Sequence, residues 1–390
     1  MILMPSERVM QNLVSNISCF TVDIDSDKMP NLIYKNRSLL LKRFSLGQTL
    51  IINLYKIIID NKNYLLCTHQ LENHPDLHVS FVYSHEEYES LLTFAKSSKV
   101  NMFLFDETNS SQAGTQAPEL SNNINIKKLE HITFQLWNYK DTVPNYKQLF
   151  DILETSLHNK NFESMGELKI SCTQWVQNNA FFLTNTGQSP KVSILNKQEG
   201  QIFNDQVAAL LIRLFDNSIF LNPQAQIDKN KRELTDIICL ENDYIVIIET
   251  KVQSVFEFRN PDKINASIIK NIDKAINQLT GANNWLEKKC KVFDNKNNVL
   301  TINSNLPTFN IILVSEYPTF DDDDTTFHKI KASFDKNGII INILDMQMLE
   351  MLIKASRGDK KLFLSNLIEI FKLSIKNKTL NIGLKFPEEK

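Results

Sequence analysis

At 390 residues the chain is long enough for two domains with proper cores, or for one large one. An apolar fraction of 42% and a charged fraction of 23% are those of an ordinary globular chain, and a net charge of −2 excludes a global basic field. The five cysteines (Cys19, Cys67, Cys172, Cys239, Cys290) include no CxxC pair, which excludes a zinc ribbon or a disulfide framework and makes a reducing cytoplasm the expected setting.

Taken in chain order, the N-terminus lacks the basic flank and apolar core of a secretory leader. A mixed α/β region follows. Strands are expected over 49–55, 64–69 and 79–83, a helix over 86–97 and a strand over 102–105. At 107–123 Thr, Asn, Ser, Gln, Ala, Gly and Pro replace the hydrophobic pattern, which predicts a linker or a long exposed loop. Beyond it the pattern predicts a strand over 132–137, a helix over 146–158, and strands over 168–172 and 180–183.

From about residue 190 the order sharpens. Phe203, Val207, Leu210, Leu211 and Leu214 recur at 3–4 spacing, so 202–215 is a helix. One strand is expected over 219–227, then a strand pair, then a long helix over 266–288 with Ile269, Ile272, Ile276, Leu279 and Trp285 on one stripe. The apolar run 309–314 predicts a buried strand, and helices over 346–355 and 362–375 close the chain. No apolar run approaches membrane-spanning length. The expected division is 1–189, an α+β recognition, regulatory or assembly region with a possible break at 107–123, and 190–390, an α/β unit. Residues 1–189 carry 16 Lys/Arg against 19 Asp/Glu, and the remainder 27 against 26, so any contact with a polyanion must be a local patch.

The strand pair carries the chemistry. If Asn242-Asp243 is a two-residue hairpin turn, Glu241 faces Tyr244, and counting outward sets Asp236 directly opposite Glu249. Opposed Cβ atoms lie roughly 4.5 to 5.5 Å apart. Lys251, two residues beyond Glu249, points to the same face. Two facing carboxylates repel each other, and a divalent cation between them would offset that. The apolar runs Ile237-Ile238-Cys239 and 245–248 predict strands buried on both faces, where an embedded charge is seldom idle.

A carboxylate, twelve intervening residues and then Glu249-Thr250-Lys251, with this order of elements around them, resembles the PD-(D/E)XK nuclease superfamily and its restriction-endonuclease-like αβββαβ core, a mixed sheet here followed by C-terminal helices. The resemblance covers about 197–316. Arg232-Glu-Leu-Thr-Asp and Ile276-Asn-Gln-Leu-Thr-Gly-Ala look like restriction and phage-defence members in particular. It implies a Mg2+-dependent endonuclease (Mn2+ as substitute) that hydrolyses DNA phosphodiester bonds in antiviral defence, with Asp236, Glu249 and the Thr250 carbonyl on the metal. Lys251 would position and activate the attacking water. Many relatives carry a Glu on the first helix; the position aligned with it is Asn204, with Glu199 and Asp205 as alternatives, a departure that bears on any second metal. Gln278 corresponds to a polar position that touches the phosphate or water, and shares a helix face with Lys270 and Lys274. Glu233 is expected on the opposite strand face, with a minor role.

One such site cuts one strand, so double-strand cleavage implies a homo-oligomer or sequential nicking, and other defence proteins are conceivable partners. An RNA-cleaving toxin-like effector and an inactive scaffold with a decayed nuclease fold are the alternatives. His69, His74 and His78 fall in a loop-like stretch with Pro75 and are expected on the surface. Asp321 to Asp324 is expected to be a solvated loop, since it lacks the Gly and ligand spacing of a calcium loop. No Gly-x-x-x-x-Gly-Lys, Gly-x-Gly-x-x-Gly or Gly-x-Ser-x-Gly occurs, which argues against ATP, dinucleotide or serine-hydrolase chemistry.

Overall fold

The computed structural model describes residues 5–15, 19–59, 62–72, 74, 77–82, 84–106, 111–116, 118–136, 162–177, 180–181, 191–192, 199–227, 230–253, 261–318, 320 and 325–381. The chain is mixed α/β and divides into two compact units, 1–180 with 193–195, and 181–192 with 196–390. Among the described residues no helix is long and apolar enough to cross a membrane.

The first unit comprises α1 (Glu7–Ser15), β1 (Cys19–Ile24), β2 (Pro30–Lys35), α2 (Ser38–Ser45), β3 (Leu50–Ile59), β4 (Lys62–Leu71), β5 (His78–Phe81), α3 (His85–Lys96), β6 (Asn101–Phe105), β7 (Ser111–Thr115), β8 (Glu119–Asn122), α4 (Ile126–Glu130), β9 (Phe162–Ser171) and β10 (Val176–Gln177). One sheet runs β1-β2-β6-β7-β10 and the other, antiparallel throughout, β5-β4-β3-β9-β8. Leu32 and Met102 of the first and Ile52 and Leu65 of the second share one core with Phe44 of α2 and Phe94 of α3.

Three expectations in this unit are corrected. The stretch 107–123 is no linker: it contributes β7 and β8, one to each sheet. Its Ala113 and Gly114 look loop-like in sequence, but small residues also suit a buried strand, and 112–115 are buried. No strand forms over 131–136. His69 is wholly buried in β4, and His74 is 7% exposed, so neither lies on the surface. The expected helix over 146–158 lies outside the described residues, as does the run Asp321 to Asp324.

After a short ribbon, β11 (Ala180–Phe181) with β12 (Lys191–Val192), the second unit comprises α5 (Glu199–Phe215), β13 (Ile219–Leu221), β14 (Gln224–Ile227), β15 (Asn230–Glu233), β16 (Ile237–Leu240), β17 (Ile245–Lys251), α6 (Pro261–Glu287), β18 (Lys291–Phe293), β19 (Val299–Leu300), β20 (Thr308–Val314), α7 (Thr325–Asn337), β21 (Ile340–Asp345), α8 (Met346–Ser356) and α9 (Lys360–Asn377). Its main sheet has the order β13-β16-β17-β20-β21. The first three strands pair antiparallel; β17, β20 and β21 run parallel.

Residues of β17 alternate between two cores. Ile245 and Ile247 pack with Ile272 and Leu279 of α6 and Ile330 of α7. Val246 and Ile248 pack with Leu210 of α5, Leu352 of α8 and Leu367 of α9. Burial on both faces explains the unbroken apolar run, and each such side chain contributes about 1.5–3 kcal/mol. The single strand expected over 219–227 is in fact two. Asn222 has φ 47°, Pro223 follows, and the chain leaves the main sheet for a second one, β15-β14-β18-β19. That left-handed residue breaks the strand.

Candidate functional site

The hairpin register is set by its turn. Glu241 N–H donates to the Tyr244 carbonyl at 3.1 Å across Asn242-Asp243, and the pairs Leu240–Ile245 through Ile237–Ile248 follow. One step further, Asp236 lies opposite Glu249. β16 begins only at Ile237, so Asp236 stands just before the strand, where the backbone leaves the ladder. Alternation puts Glu249 and Lys251 on the face of Ile245 and Ile247, towards α6. All three residues lie at the carboxyl end of the parallel strands β17, β20 and β21, where open α/β sheets bind ligands.

The side chains take over where the ladder stops. Thr250 N–H donates to Asp236 Oδ2 at 2.7 Å, and Thr250 Oγ1 lies 3.1 Å from the same oxygen. Because N–H and C=O of one strand residue point to the same edge, the Thr250 carbonyl faces the Asp236 side as well. Thr235 Oγ1 donates to the Ile248 carbonyl at 2.8 Å and closes the splayed end. Lys251 Nζ donates to Glu249 Oε2 at 3.0 Å.

Glu249 is only 2% exposed. Burial pushes its carboxyl up to about 7, Asp236 adds to the rise, and Lys251 and Thr235 hold it down. Two carboxyl groups and one ammonium group share this half-enclosed place. Glu233 stands within their electrostatic reach. Exposed on β15, it still has its carboxyl pushed up, first by partial desolvation and then by Asp236, with Lys251 opposing. Glu233 belongs to β15, in the second sheet, where it pairs with Gln224. Leu234 N–H bonds the Pro223 carbonyl and the chain bends at Asp236, so strand alternation cannot be counted through 233–236.

Asn204 of α5 is brought to this cluster, 7% exposed, with its side-chain amide hydrogen-bonded to Thr250 Oγ1. Its neighbour Asp205 instead accepts from Gln201 at 2.8 Å; burial raises its carboxyl and Gln201 opposes that. Glu199 begins α5. Lys270, Lys274 and Gln278 are all exposed on α6. Among the described residues no hydrogen bond links Gln278 to Asp236, Glu249 or Lys251. The Asn204–Thr250 contact is the element that sequence reasoning missed, although the resemblance had already singled out position 204.

The donor set suits a hard divalent cation. Asp236 uses Oδ2 on Thr250, while Oδ1 accepts no hydrogen bond among the described residues; Glu249 and the Thr250 carbonyl supply further oxygens. Mg2+ commonly takes one or two carboxylates and keeps its waters. Among the described residues no group of three or more His, Cys, Asp or Glu side chains is placed to hold a metal, so a cation here would rest on two carboxylates and a carbonyl. No protein-family model, no curated protein and no solved structure matches this chain.

Proposed function

We propose that this chain is a metal-dependent endonuclease of the PD-(D/E)XK type, acting on DNA. One observation carries the reading: Asp236, next after the Ile237–Ile248 pair, acts on the Glu249 carboxyl, with Thr250 bonded to Asp236 and Lys251 bonded to Glu249 at the carboxyl end of the sheet. The order α5, β13, β16, β17, α6, β20 is in keeping with an αβββαβ core. Mg2+, when bound, would supply Lewis-acid stabilisation of the phosphate and of the attacking oxygen.

The chain's own residues have separate tasks in this reading. Asp236, Glu249 and the Thr250 carbonyl would hold the cation. Burial and the like charge of Asp236 raise the Glu249 carboxyl, and a cation held there would favour its carboxylate form. Lys251, released from its pairing with Glu249, has its ammonium available for the phosphate oxygens and for holding the water in line. Restriction of foreign DNA is the setting we propose.

Supercoiled plasmid incubated with Mg2+ tests the reading. Wild type should nick or linearise it, EDTA should stop the reaction, and Lys251→Ala should lose at least about 100-fold in rate. Equal rates for wild type and Lys251→Ala would sink the assignment. Duplex DNA, single-stranded DNA and RNA assayed side by side decide the substrate, and cleavage confined to RNA would overturn the DNA reading while leaving the fold type standing.

A further inference from the structure

The hydroxyl of Thr250 has one proton and two claimants. It lies 3.1 Å from Asp236 Oδ2 and, as the structure sets the amide, it also donates to Asn204 Oδ1. Thr250 is 9% exposed and Asn204 7%, so both side chains are largely buried. Were the amide oxygen to take the hydroxyl proton, an oxygen lone pair would be left facing the Asp236 carboxylate. Turning the amide about its last torsion exchanges its oxygen for its NH2 group. Nδ2–H then donates to Oγ1, and the hydroxyl proton goes to Asp236. That arrangement gives Oγ1 both a donor and an acceptor, and a carboxylate accepts the stronger, charge-assisted bond.

We propose that Asn204 is a positioning residue for the cation site: its NH2 group donates to Thr250 Oγ1, and Thr250 donates to Asp236 Oδ2. With the Thr250 backbone N–H at 2.7 Å, two donors then hold Oδ2, and Oδ1 is left as the oxygen that meets the cation. The amide explains why position 204 carries no acid. A carboxylate there would compete with Asp236 for the single proton of Thr250. The relay also ties α5 to the end of β17, so that the carboxylate pair does not depend on the short β16 for its spacing.

This inference rests on the proposed metal site and deepens it. Calorimetric titration of the full chain with Mn2+ alone tests it without any nucleic acid. Asn204→Leu and Thr250→Val should each weaken Mn2+ binding by about 10-fold or more, the range seen when groups that orient metal ligands are lost. Thr250→Ser keeps the hydroxyl and should bind as wild type does. The double variant Asn204→Leu/Thr250→Val should bind no more weakly than the worse single one, because the two belong to one relay. Far-ultraviolet dichroism checks that each variant is folded. Unchanged affinity in both single variants, or effects that multiply in the double, overturns the relay. Failure of wild type to bind Mn2+ overturns both the relay and the nuclease reading. Intact binding with the expected pattern, but no cleavage of any nucleic acid, overturns only the nuclease reading.

Discussion

Both units bury titratable side chains in their sheets, and two of these, His69 and Glu249, are treated in opposite ways. His69 in β4 is wholly buried, stacked on His78 with ring centroids 5.3 Å apart and edge-on to Tyr34 at 5.7 Å. Among the described residues neither ring nitrogen has a hydrogen-bond partner. Burial, with His78 adding to it, drives its pKa well below the ordinary histidine value, so it stays neutral. Glu249 in β17 is buried as deeply but has Lys251 bonded to it and Asp236 across from it. Its pKa stops at about 7. Burial alone silences an ionisable group; burial beside a matched pair of charges leaves it ready to respond to a cation.

The sharpest way to break the comparison is to remove the responsive group. Glu249→Gln should reduce Mg2+-dependent plasmid cleavage by at least about 100-fold, whereas His69→Phe should leave cleavage within about 3-fold.

Their pH dependences should run in opposite senses. For Glu249 the folded pKa lies above the unfolded one, so its contribution is fully present below about pH 4.5 and is lost as pH rises through about 7. The metal-free second unit should therefore lose on the order of 3 kcal/mol over that range. Amide exchange of β17 reads this loss, and Glu249→Gln should flatten it. For His69 the folded pKa is depressed, so stability is present above the unfolded value near 6.5 and falls as the solution is acidified. Exchange of β4 amides should speed up with acid, by up to about 1.4 kcal/mol per pH unit in opening free energy, and His69→Phe should remove that slope. The smallest effect is expected at Gln278: exposed and remote from the carboxylates in bonding, its change to Ala should alter stability by less than about 0.5 kcal/mol and cleavage by less than about 3-fold. A larger loss of cleavage would place it in the site.

The carboxylate pair was legible because it needs only local rules. A two-residue turn and strict alternation set Asp236 against Glu249 before any tertiary contact is known. Asn204 was legible only as a position on a helix, since its bond to Thr250 depends on how α5 lies on β17. The four-stranded side sheet escaped notice: β18 is three residues and β19 two, too short for a periodic pattern, and the left-handed Asn222 that starts the detour is an ordinary Asn in sequence. His69 was misjudged for a similar reason. Pro75 made its surroundings look like a loop, while the pairing of ten residues between β3 and β4 buries it.

The titration of Glu249 itself, followed by carbon NMR of a glutamate-labelled chain with and without Mg2+, is the most direct test of the facing pair as a cation site. The account predicts a midpoint of about 7 without the ion and a midpoint driven well down by saturating Mg2+. A midpoint that Mg2+ leaves unmoved would contradict it.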